Sequence, residues 1–418
     1  MQTGSAPPIP EPTPTFPTDL SGALTIWTFA QGDDEVAIKA YMRAFKDRFP
    51  DVEPKLVVIP EDSYTAKINT SLQARNPPDI AIIEDMRWAK AGRVVELSPH
   101  LAEWGVDIAD FNPGGIGRMA LEADPAKGVY GMGDFLGGFV LVYNRKLFAE
   151  AALAYPPTDR SLTFREYDTI CRALVKPGSD PAQTVYGCAA HDNAYGMVGQ
   201  RVFGADGRTI VGNGDSPEMV DAFNVGTALI RDKVAPSGSV MDAIGGETDL
   251  FALGKIGITG TDFTEVAKYQ ANGIDFGIAP FYVIRAGDSV VDTFTAPWGT
   301  FTESRNQRAA LEFIRFLATD AQRIRMTISL DPPLSAKVAS ETGYGKDDPI
   351  RQQYLEVLKL AQPQVFVPNG VEAWDPGEVV RRMTVERETD AAPILGPMVA
   401  KAQRELDSVW TAWEELGP

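Results

Sequence analysis

The sequence predicts an α/β fold built as two lobes. A chain of 418 residues is long for one hydrophobic core, since single cores stop growing beyond about 250–300 residues. Strand-like and helix-like segments alternate near the N-terminus, which is typical of a mostly parallel sheet with helices on both faces. A short strand that ends in glycines at 128–134, followed by an apolar strand at 139–143, is typical of a segment that crosses a cleft between two lobes.

The first lobe is predicted from a repeated strand–helix pattern. Residues 24–29 combine β-branched and aromatic side chains after a Ser-Gly turn, which indicates a strand. Asp33 then begins a helix whose apolar residues recur at helical spacing. Ser63 is predicted to cap the next helix, which the Pro77-Pro78 pair terminates. The predicted strands are 24–29, 55–59 and 79–84, and the predicted helices are 33–49 and 63–76.

The second lobe is predicted from helix signals and from two further crossings. Thr163 and Glu166 fit a capping box at the start of a helix over 164–175. The chain is expected to return near 280–283 and to cross again near 330–335, and three crossings make a hinge that bends but resists twisting. Helices at 348–361 and 391–415 cover this lobe. The predicted boundaries are a tether at 1–20, a first lobe at 21–130 and 284–330, and a second lobe at 131–283 and 331–418.

Composition restricts the functional class. Apolar residues make up 44% and charged residues 23%, as in an ordinary globular protein. The sequence has no apolar run of about 18 residues that would predict a membrane span. A formal charge of −18 argues against nucleic acid as a partner and favours a soluble, monomeric carrier. Two histidines make a metal site an unpromising hypothesis, and no cofactor is expected.

The first twenty residues are predicted to be a disordered, proline-rich tether. Residues 4–18 hold six prolines with Ser and Thr, and proline favours an extended, solvated chain. No secretion signal is present. One hypothesis is a spacer to a lipid-modified cysteine that is not in this sequence, and the alternative is a disordered cytosolic N-terminus. A lipid anchor is thus the only membrane contact expected.

Two cysteines leave two possibilities open. Cys171 falls in a helical stretch and Cys188 in a strand-like one. An even number of cysteines in an exported protein permits a disulfide, and two separate buried thiols are the alternative. Neither cysteine belongs to a CxxC pair, so metal binding and nucleophilic chemistry are not indicated.

Several sequence blocks carry a family resemblance. The strongest is GVYGMGDF followed by VLVYNRKLF, at 128–148. The other blocks are LTIWTF at 24–29, YTAKINTSLQARNPPDIAII at 64–83, AGRVVELSPHL at 91–101, LFALGKIGITGTDF at 250–263, DFGIAP at 275–280 and AALEFIRFL at 309–317. In this order they resemble the family 1 extracellular solute-binding proteins of bacterial ABC importers, the maltodextrin-binding group.

The resemblance implies a fold, a place and a set of partners. The fold would be periplasmic-binding-protein-like of type II, with two α/β lobes joined by a multi-crossing hinge. The ligand would be a carbohydrate held between the lobes, and the permease subunits of an ABC transporter would receive it. The protein would lie in the periplasm or at the extracellular face of the cell membrane. Glu84 and Asp85 would stand where the family often places a ligand-binding acid.

Aromatic residues near predicted strand ends and loops are candidates for stacking on sugar rings. Trp27 and Phe29 end the first strand, Trp298 lies beside Pro and Gly, and Trp374 lies in a loop with Gly and Pro. Phe263 stands where the family usually has Trp. Ordinary core packing is the alternative for each tryptophan, and it is the expected role of Trp410 and Trp413 on the last helix.

Polar residues at predicted strand ends are candidates for sugar hydroxyls, because carboxylates and amides bind hydroxyl groups in pairs. The alternative for each is a helix cap or a solvated turn. The candidates are Gln31, Glu84, Asp85, Asp134, His191, Asn193, Tyr195 and Asp262.

Candidate acids outnumber candidate bases, which favours a neutral or basic ligand, and the expected ligand is a neutral sugar or a short oligosaccharide. Another cargo on the same fold stays open: a polyamine, a sugar phosphoester or a peptide. Paired carboxylates such as Glu84 and Asp134 could serve a glycosidase. However, no GxSxG, HExxH or Walker motif is present, and the favoured hypothesis is a binding protein rather than an enzyme.

Overall fold

The computed structural model describes residues 17, 19–189, 202–285, 288, 291–361 and 365–417. Within them, the strands are β1 (Gly22–Thr28), β2 (Val52–Val58), β3 (Ile80–Ile82), β4 (Gly137–Asn144), β5 (Tyr186–Cys188), β6 (Ile256–Asp262), β7 (Phe276–Ala279), β8 (Thr293–Phe294) and β9 (Trp298–Gly299). The helices of the N-terminal half are α1 (Asp33–Arg48), α2 (Glu61–Gln73), α3 (Arg87–Lys90), α4 (Ser98–Trp104), α5 (Pro113–Met119), α6 (Arg145–Glu150) and α7 (Phe164–Leu174). The helices of the C-terminal half are α8 (Pro217–Arg231), α9 (Gly238–Ile244), α10 (Glu247–Ala252), α11 (Val266–Ala271), α12 (Gln307–Phe316), α13 (Gln322–Arg325), α14 (Ala336–Thr342), α15 (Pro349–Leu358), α16 (Pro376–Thr384) and α17 (Ala392–Glu415).

The first sheet has the strand order β2-β1-β3-β9. Strands β1, β2 and β3 are parallel, and β9 joins β3 in the antiparallel direction. Parallel strands joined by α1 and α2 confirm the predicted βαβ pattern here. Because parallel strands end at the same edge, the segments that come after β1 and β3 lie side by side.

The second sheet has the order β5-β6-β4-β7, with β8 also paired to β4. The parallel pattern predicted for the first lobe does not extend to this sheet, which is mixed: β4 runs antiparallel to β6, β7 and β8, and β5 is parallel to β6. The register pairs Phe139, near the start of β4, with Asp262, at the end of β6. Strand β4 therefore begins at the edge where β6 ends, and this edge faces the first sheet across a cleft.

Three segments run side by side between the two sheets. Met132 exchanges backbone hydrogen bonds with Trp298, and the Leu136 amide donates to the carbonyl of Pro332. A Cβ added at Gly131 would lie 2.6 Å from Pro297 Cβ, and one added at Gly133 would lie 2.0 Å from Thr295 Oγ1. Only glycine allows this close approach, which is the physical reason for Gly131 and Gly133.

Each sheet is covered by helices that bury aromatic side chains. Helix α1 places Tyr41 and Phe45 under the first sheet, where the Phe45 ring packs against Phe313 of α12 at 5.1 Å between ring centroids. Helix α17 crosses the second sheet's core with Trp410 and Trp413, as expected from their packing role. Among the described residues, no helix combines the length and apolar character needed to cross a membrane.

The helix N-caps agree with the sequence at two positions and differ at a third. The capping box of Thr163 and Glu166 is present, and Asn144 caps α6 by accepting from the Leu147 amide. The predicted cap at Ser63 is wrong: α2 begins at Glu61 after Pro60, and the Ser63 hydroxyl donates to the Pro60 carbonyl. Pro60 is the N-cap, so the helix begins two residues before Ser63.

Cys171 of α7 and Cys188 of β5 form a disulfide, with their Cα atoms 5.1 Å apart. Of the two possibilities that the sequence left open, the structure has the bonded one. The predicted lobe boundaries stay a prediction, since sheet membership alone does not divide the helices between the lobes. Strand β8 still pairs with the second sheet, and β9 pairs with the first.

Candidate ligand-binding cleft

A cavity with a volume of about 570 Å³ lies between the two sheets. Its first wall comes from the segments after β1 and β3 and from the N-terminal turns of α1 and α2. Its second wall comes from the start of β4 and from β8. A cavity at the carboxyl ends of parallel strands, closed by a second lobe, is a usual place for a small-molecule ligand.

Aromatic rings line both walls of the cavity. Phe29 belongs to the first wall, and Phe139 and Phe294 belong to the second, where their ring centroids lie 5.8 Å apart. These three side chains are half-buried, so part of each ring faces the cavity. Phe135 and Trp298 complete the aromatic lining, but both are at least 95% buried. Flat apolar surfaces on opposite walls suit the C–H faces of a ring held between them.

Asp134 lies at the hinge end of the cavity and is held by two donors. The Tyr41 hydroxyl donates to its Oδ2 at 2.6 Å, and the Trp298 indole donates to its Oδ1 at 3.3 Å. Burial raises the pKa of the Asp134 carboxyl, and the guanidinium of Arg325 and these hydrogen bonds oppose the rise. Trp298 is therefore held edge-on by a structural hydrogen bond.

Arg325 of α13 neutralises the acids around the hinge end. Its Nη2 lies 2.5 Å from Asp34 and 2.7 Å from Asp331, and its Nε donates to the Ser329 hydroxyl at 2.9 Å. Its guanidinium carbon lies 4.1 Å from the centre of the Phe135 ring. Burial alone would lower the pKa of Arg325, but the surrounding carboxylates outweigh burial and raise it. The charges at the hinge end thus compensate one another, although Oδ1 of Asp331 has no hydrogen-bond partner among the described residues.

The other part of the cavity, here called its mouth, contains charged side chains without an ion-pair partner among the described residues. Glu84, after β3, and Arg118, on α5, both line the cavity and do not pair with each other, although Arg118 affects the pKa of Glu84. Partial loss of hydration raises the pKa of the Glu84 carboxyl, Arg118 opposes the rise, and nearby Glu61 adds to it. Nε of Arg118 is buried without a hydrogen-bond partner among the described residues.

The structure brings together part of the set predicted from sequence. Five of the candidates line the cavity: Phe29, Gln31, Glu84, Asp134 and Trp298. Their contact with a ligand stays a prediction. His191, Asn193 and Tyr195 lie outside the described residues.

Two predicted acids do not face the main cavity. The Asp85 carboxylate accepts from Nε of Arg87 at 2.9 and 2.8 Å and from Nη2 of Arg87 at 2.5 Å. Asp262 caps a short helical turn by accepting from the Thr264 amide at 3.0 Å. Burial raises the pKa of the Asp262 carboxyl to about 7. Both acids have the cap or turn role that the sequence left as the alternative.

Three predicted aromatic residues pack in the interior or against it. Phe263 is fully buried and stacks on Tyr354, with 3.6 Å between ring centroids. Trp27 packs against the core of the first sheet, and Trp374 packs against the core of the second. In this structure none of the three lines the cavity, because each lies on the side of its strand or loop that faces a core.

Sequence reasoning missed several cavity residues. Asp34 and Glu61 could have been found, since both stand at helix N-termini that come directly after strand ends. Phe139 and Phe294 are visible in the sequence only as ordinary strand residues. Arg118 has no local signal, because the packing of α5 alone brings it to the cleft. Among the described residues, no group of His, Cys, Asp and Glu side chains could hold a metal ion.

The chain matches the sequence profile of the bacterial extracellular solute-binding protein family over residues 30–324. It therefore belongs to this family, as the sequence blocks predicted. A search of curated protein sequences finds no match.

Solved structures show the same fold. An ABC substrate-binding protein of Listeria monocytogenes, in complex with cycloalternan, has a TM-score of 0.69 at 20% identity, covering 95% of this chain and all of its own. The GacH receptor of Streptomyces glaucescens, solved unliganded and with acarbose, has a TM-score of 0.70 at 16% identity, covering 96% of this chain and all of its own. A maltotriose-binding protein of Thermus thermophilus has a TM-score of 0.66 at 17% identity, covering 91% and 99% of the two chains. The predicted type II periplasmic-binding-protein fold is confirmed.

Proposed function

We propose that this protein captures a neutral sugar or short oligosaccharide in the interlobe cleft and delivers it to the permease subunits of an ABC importer. The observation that carries the proposal is the cavity wall, in which Phe29 faces Phe139 and Phe294 while Gln31 and Glu84 offer acceptors. Rings of both lobes can cover the faces of a sugar, and the polar groups can bind its hydroxyls. The family match and the sugar-bound neighbours support the same ligand class.

Closure of the lobes is the proposed mechanism. A ligand that contacts both walls binds the closed form better than the open form, and this difference in affinity shifts the population toward closure. The three segments packed around Met132, Trp298 and Pro332 would bend during this motion. The closed shape is then the form that the permease recognises.

The ligand is proposed to leave chemically unchanged. Asp134, one acid of the glycosidase alternative, already accepts hydrogen bonds from Tyr41 and Trp298. This arrangement supports a structural role for it.

We further propose that the protein works at the outer face of the cell membrane, with the proline-rich tether as a spacer to a lipid anchor. Metabolic labelling with a fatty acid in the native host would test the anchor.

A thermal-shift panel of sugars, polyamines, sugar phosphoesters and peptides tests the cargo. A ligand of the native state at 100 times its Kd stabilises by about 2.7 kcal/mol, so a bound oligosaccharide should raise the melting temperature by several degrees. Calorimetric titration of wild type and Phe139→Ala should then show at least tenfold weaker binding by the variant. Tyr155→Ala removes an exposed ring outside the cavity lining and is the matched control.

Two results would overturn the proposal. One is a panel in which only polyamines, phosphoesters or peptides raise the melting temperature. The other is mass spectrometry that finds the oligosaccharide cleaved after incubation with the protein.

A further inference from the structure

A second, smaller cavity adjoins the mouth of the main one. Its volume is about 140 Å³, against about 570 Å³ for the main cavity. Glu84 and Arg118 line both cavities, so the two spaces meet at this pair. The far wall of the second cavity comes from residues 365–369 and from Trp413 of α17.

The charged pair at the junction is suited to one kind of chemical group. Arg118 can only donate hydrogen bonds, and an ionised Glu84 can only accept them. They do not pair with each other, and the buried Nε of Arg118 has no partner among the described residues. A hydroxyl both donates and accepts, so neighbouring hydroxyls between the two side chains would satisfy both. Glu84 would repel a purely anionic group, and Arg118 would repel a purely cationic one.

The remaining wall suits the same chemistry. Asp85 also lines the second cavity, but Arg87 already neutralises it. Phe366 packs on Trp413, with 4.9 Å between ring centroids, and gives an apolar side to the wall. Asn369 is exposed, and its side-chain amide donates to the Glu84 carbonyl at 3.3 Å. This bond joins the far wall directly to the strand end that carries Glu84.

We propose that the second cavity is an additional subsite for one sugar ring, and that the ligand is an oligosaccharide whose chain passes between Glu84 and Arg118. The inference rests on the proposed function and narrows it, because it requires a ligand of at least two rings. Arg118 would then determine specificity for ligand length. A monosaccharide would occupy the main cavity alone.

Calorimetric titration with two length series tests the subsite: glucose to maltotetraose, and mannose to mannotetraose. For the series that binds wild type, affinity should rise at least tenfold at the length that reaches the second cavity. Asn369→Trp fills this cavity from an exposed position and should remove that step while leaving the shorter sugars unaffected. Asn369→Ala loses the same hydrogen bond without filling the space, and it should keep the step.

Arg118→Met keeps the length of the side chain and removes its donors. Because Arg118 also lines the main cavity, the shorter sugars should bind more weakly too, but the affinity for the longer sugars should fall at least tenfold more, with an unchanged circular dichroism spectrum. Equal length dependence in wild type and Asn369→Trp would overturn the subsite, as would a wild-type protein whose affinity does not depend on length. If wild type binds no carbohydrate, the proposed function itself fails, and the subsite fails with it.

Discussion

The two ends of the cleft contain the same kinds of charged side chains, but those at one end are paired with each other and those at the other end are not. At the hinge end, Asp134 accepts from Tyr41 and Trp298, and Arg325 lies within 2.7 Å of both Asp34 and Asp331. At the mouth, Glu84 and Arg118 face the cavity with no ion pair between them.

The difference separates structural from ligand-facing polar groups. A buried charge is tolerated when other groups of the protein compensate it, and removing its partner costs several kcal/mol. A charge that faces a cavity keeps part of its hydration, so its removal should change stability less, and under the proposed function it would remove a hydrogen bond to the ligand. Carboxylates and guanidinium groups occur at both ends, so residue type alone does not distinguish the two roles.

The largest effect is expected from Arg325→Met. The change leaves Asp331, which is fully buried, without its cation, and we expect a loss of about 3–5 kcal/mol in the free energy of unfolding. Urea unfolding followed by circular dichroism measures it. The control is Arg323→Met on the same helix, whose exposed ion pair with Glu341 should contribute less than about 1 kcal/mol. Equal losses in the two variants would show that the hinge network is not the stabilising unit.

An intermediate effect is expected at Asp262, where burial raises the pKa to about 7 from an ordinary value of 3.8. Between these values the folded protein holds a proton that the unfolded chain has released. Stability therefore falls as the pH rises from about 4 to about 7. Asp262→Asn should remove this contribution, so the variant should gain stability relative to wild type, by up to about 4 kcal/mol, over that range.

The comparison needs urea midpoints of both proteins at several pH values. Asp275→Asn, an exposed acid at the start of the neighbouring region of the same sheet, controls for the loss of one surface carboxyl. A constant difference between Asp262→Asn and wild type from pH 4 to pH 7 would contradict the prediction. It would also show that the Asp262 carboxyl has an ordinary pKa in the folded protein.

The smallest change in stability is expected from Glu84→Gln. Its side chain has no ion pair with any described residue, so the free energy of unfolding should stay within about 0.5 kcal/mol of wild type. The affinity for the bound sugar should fall, because an ionised acceptor is replaced by a neutral one. Unfolding and calorimetric titration on the same preparation measure both quantities. A large loss of stability without a loss of affinity would make Glu84 structural, like Asp134.

Much of the fold was predictable because its signals are local. The capping box of Thr163 and Glu166, the Asn144 cap and the strand–helix alternation of the first lobe depend on neighbours within a few residues. The second sheet was harder. The direction of β4 depends on which strands reach it from distant parts of the chain, and no local pattern records that choice.

The candidate site was predictable in part for the same reason. Strand ends indicated Phe29, Gln31 and Glu84, since the residues after neighbouring parallel strands meet at the carboxyl edge of their sheet. Phe263 and Trp374 had equally good local signals, but Phe263 lies in the interior and Trp374 packs against it. Packing decides which side of a loop faces a core, and the sequence of the loop alone does not predict it.

The sequence by itself determined the α/β character, the family, and the glycines that let the hinge segments approach each other. These properties come from periodicity, turn chemistry and the lack of a side chain at Gly131 and Gly133. Only the tertiary structure decided which charges are compensated. Arg325 finds Asp34 and Asp331, while Arg118 finds no partner among the described residues, because the positions of whole helices set these distances.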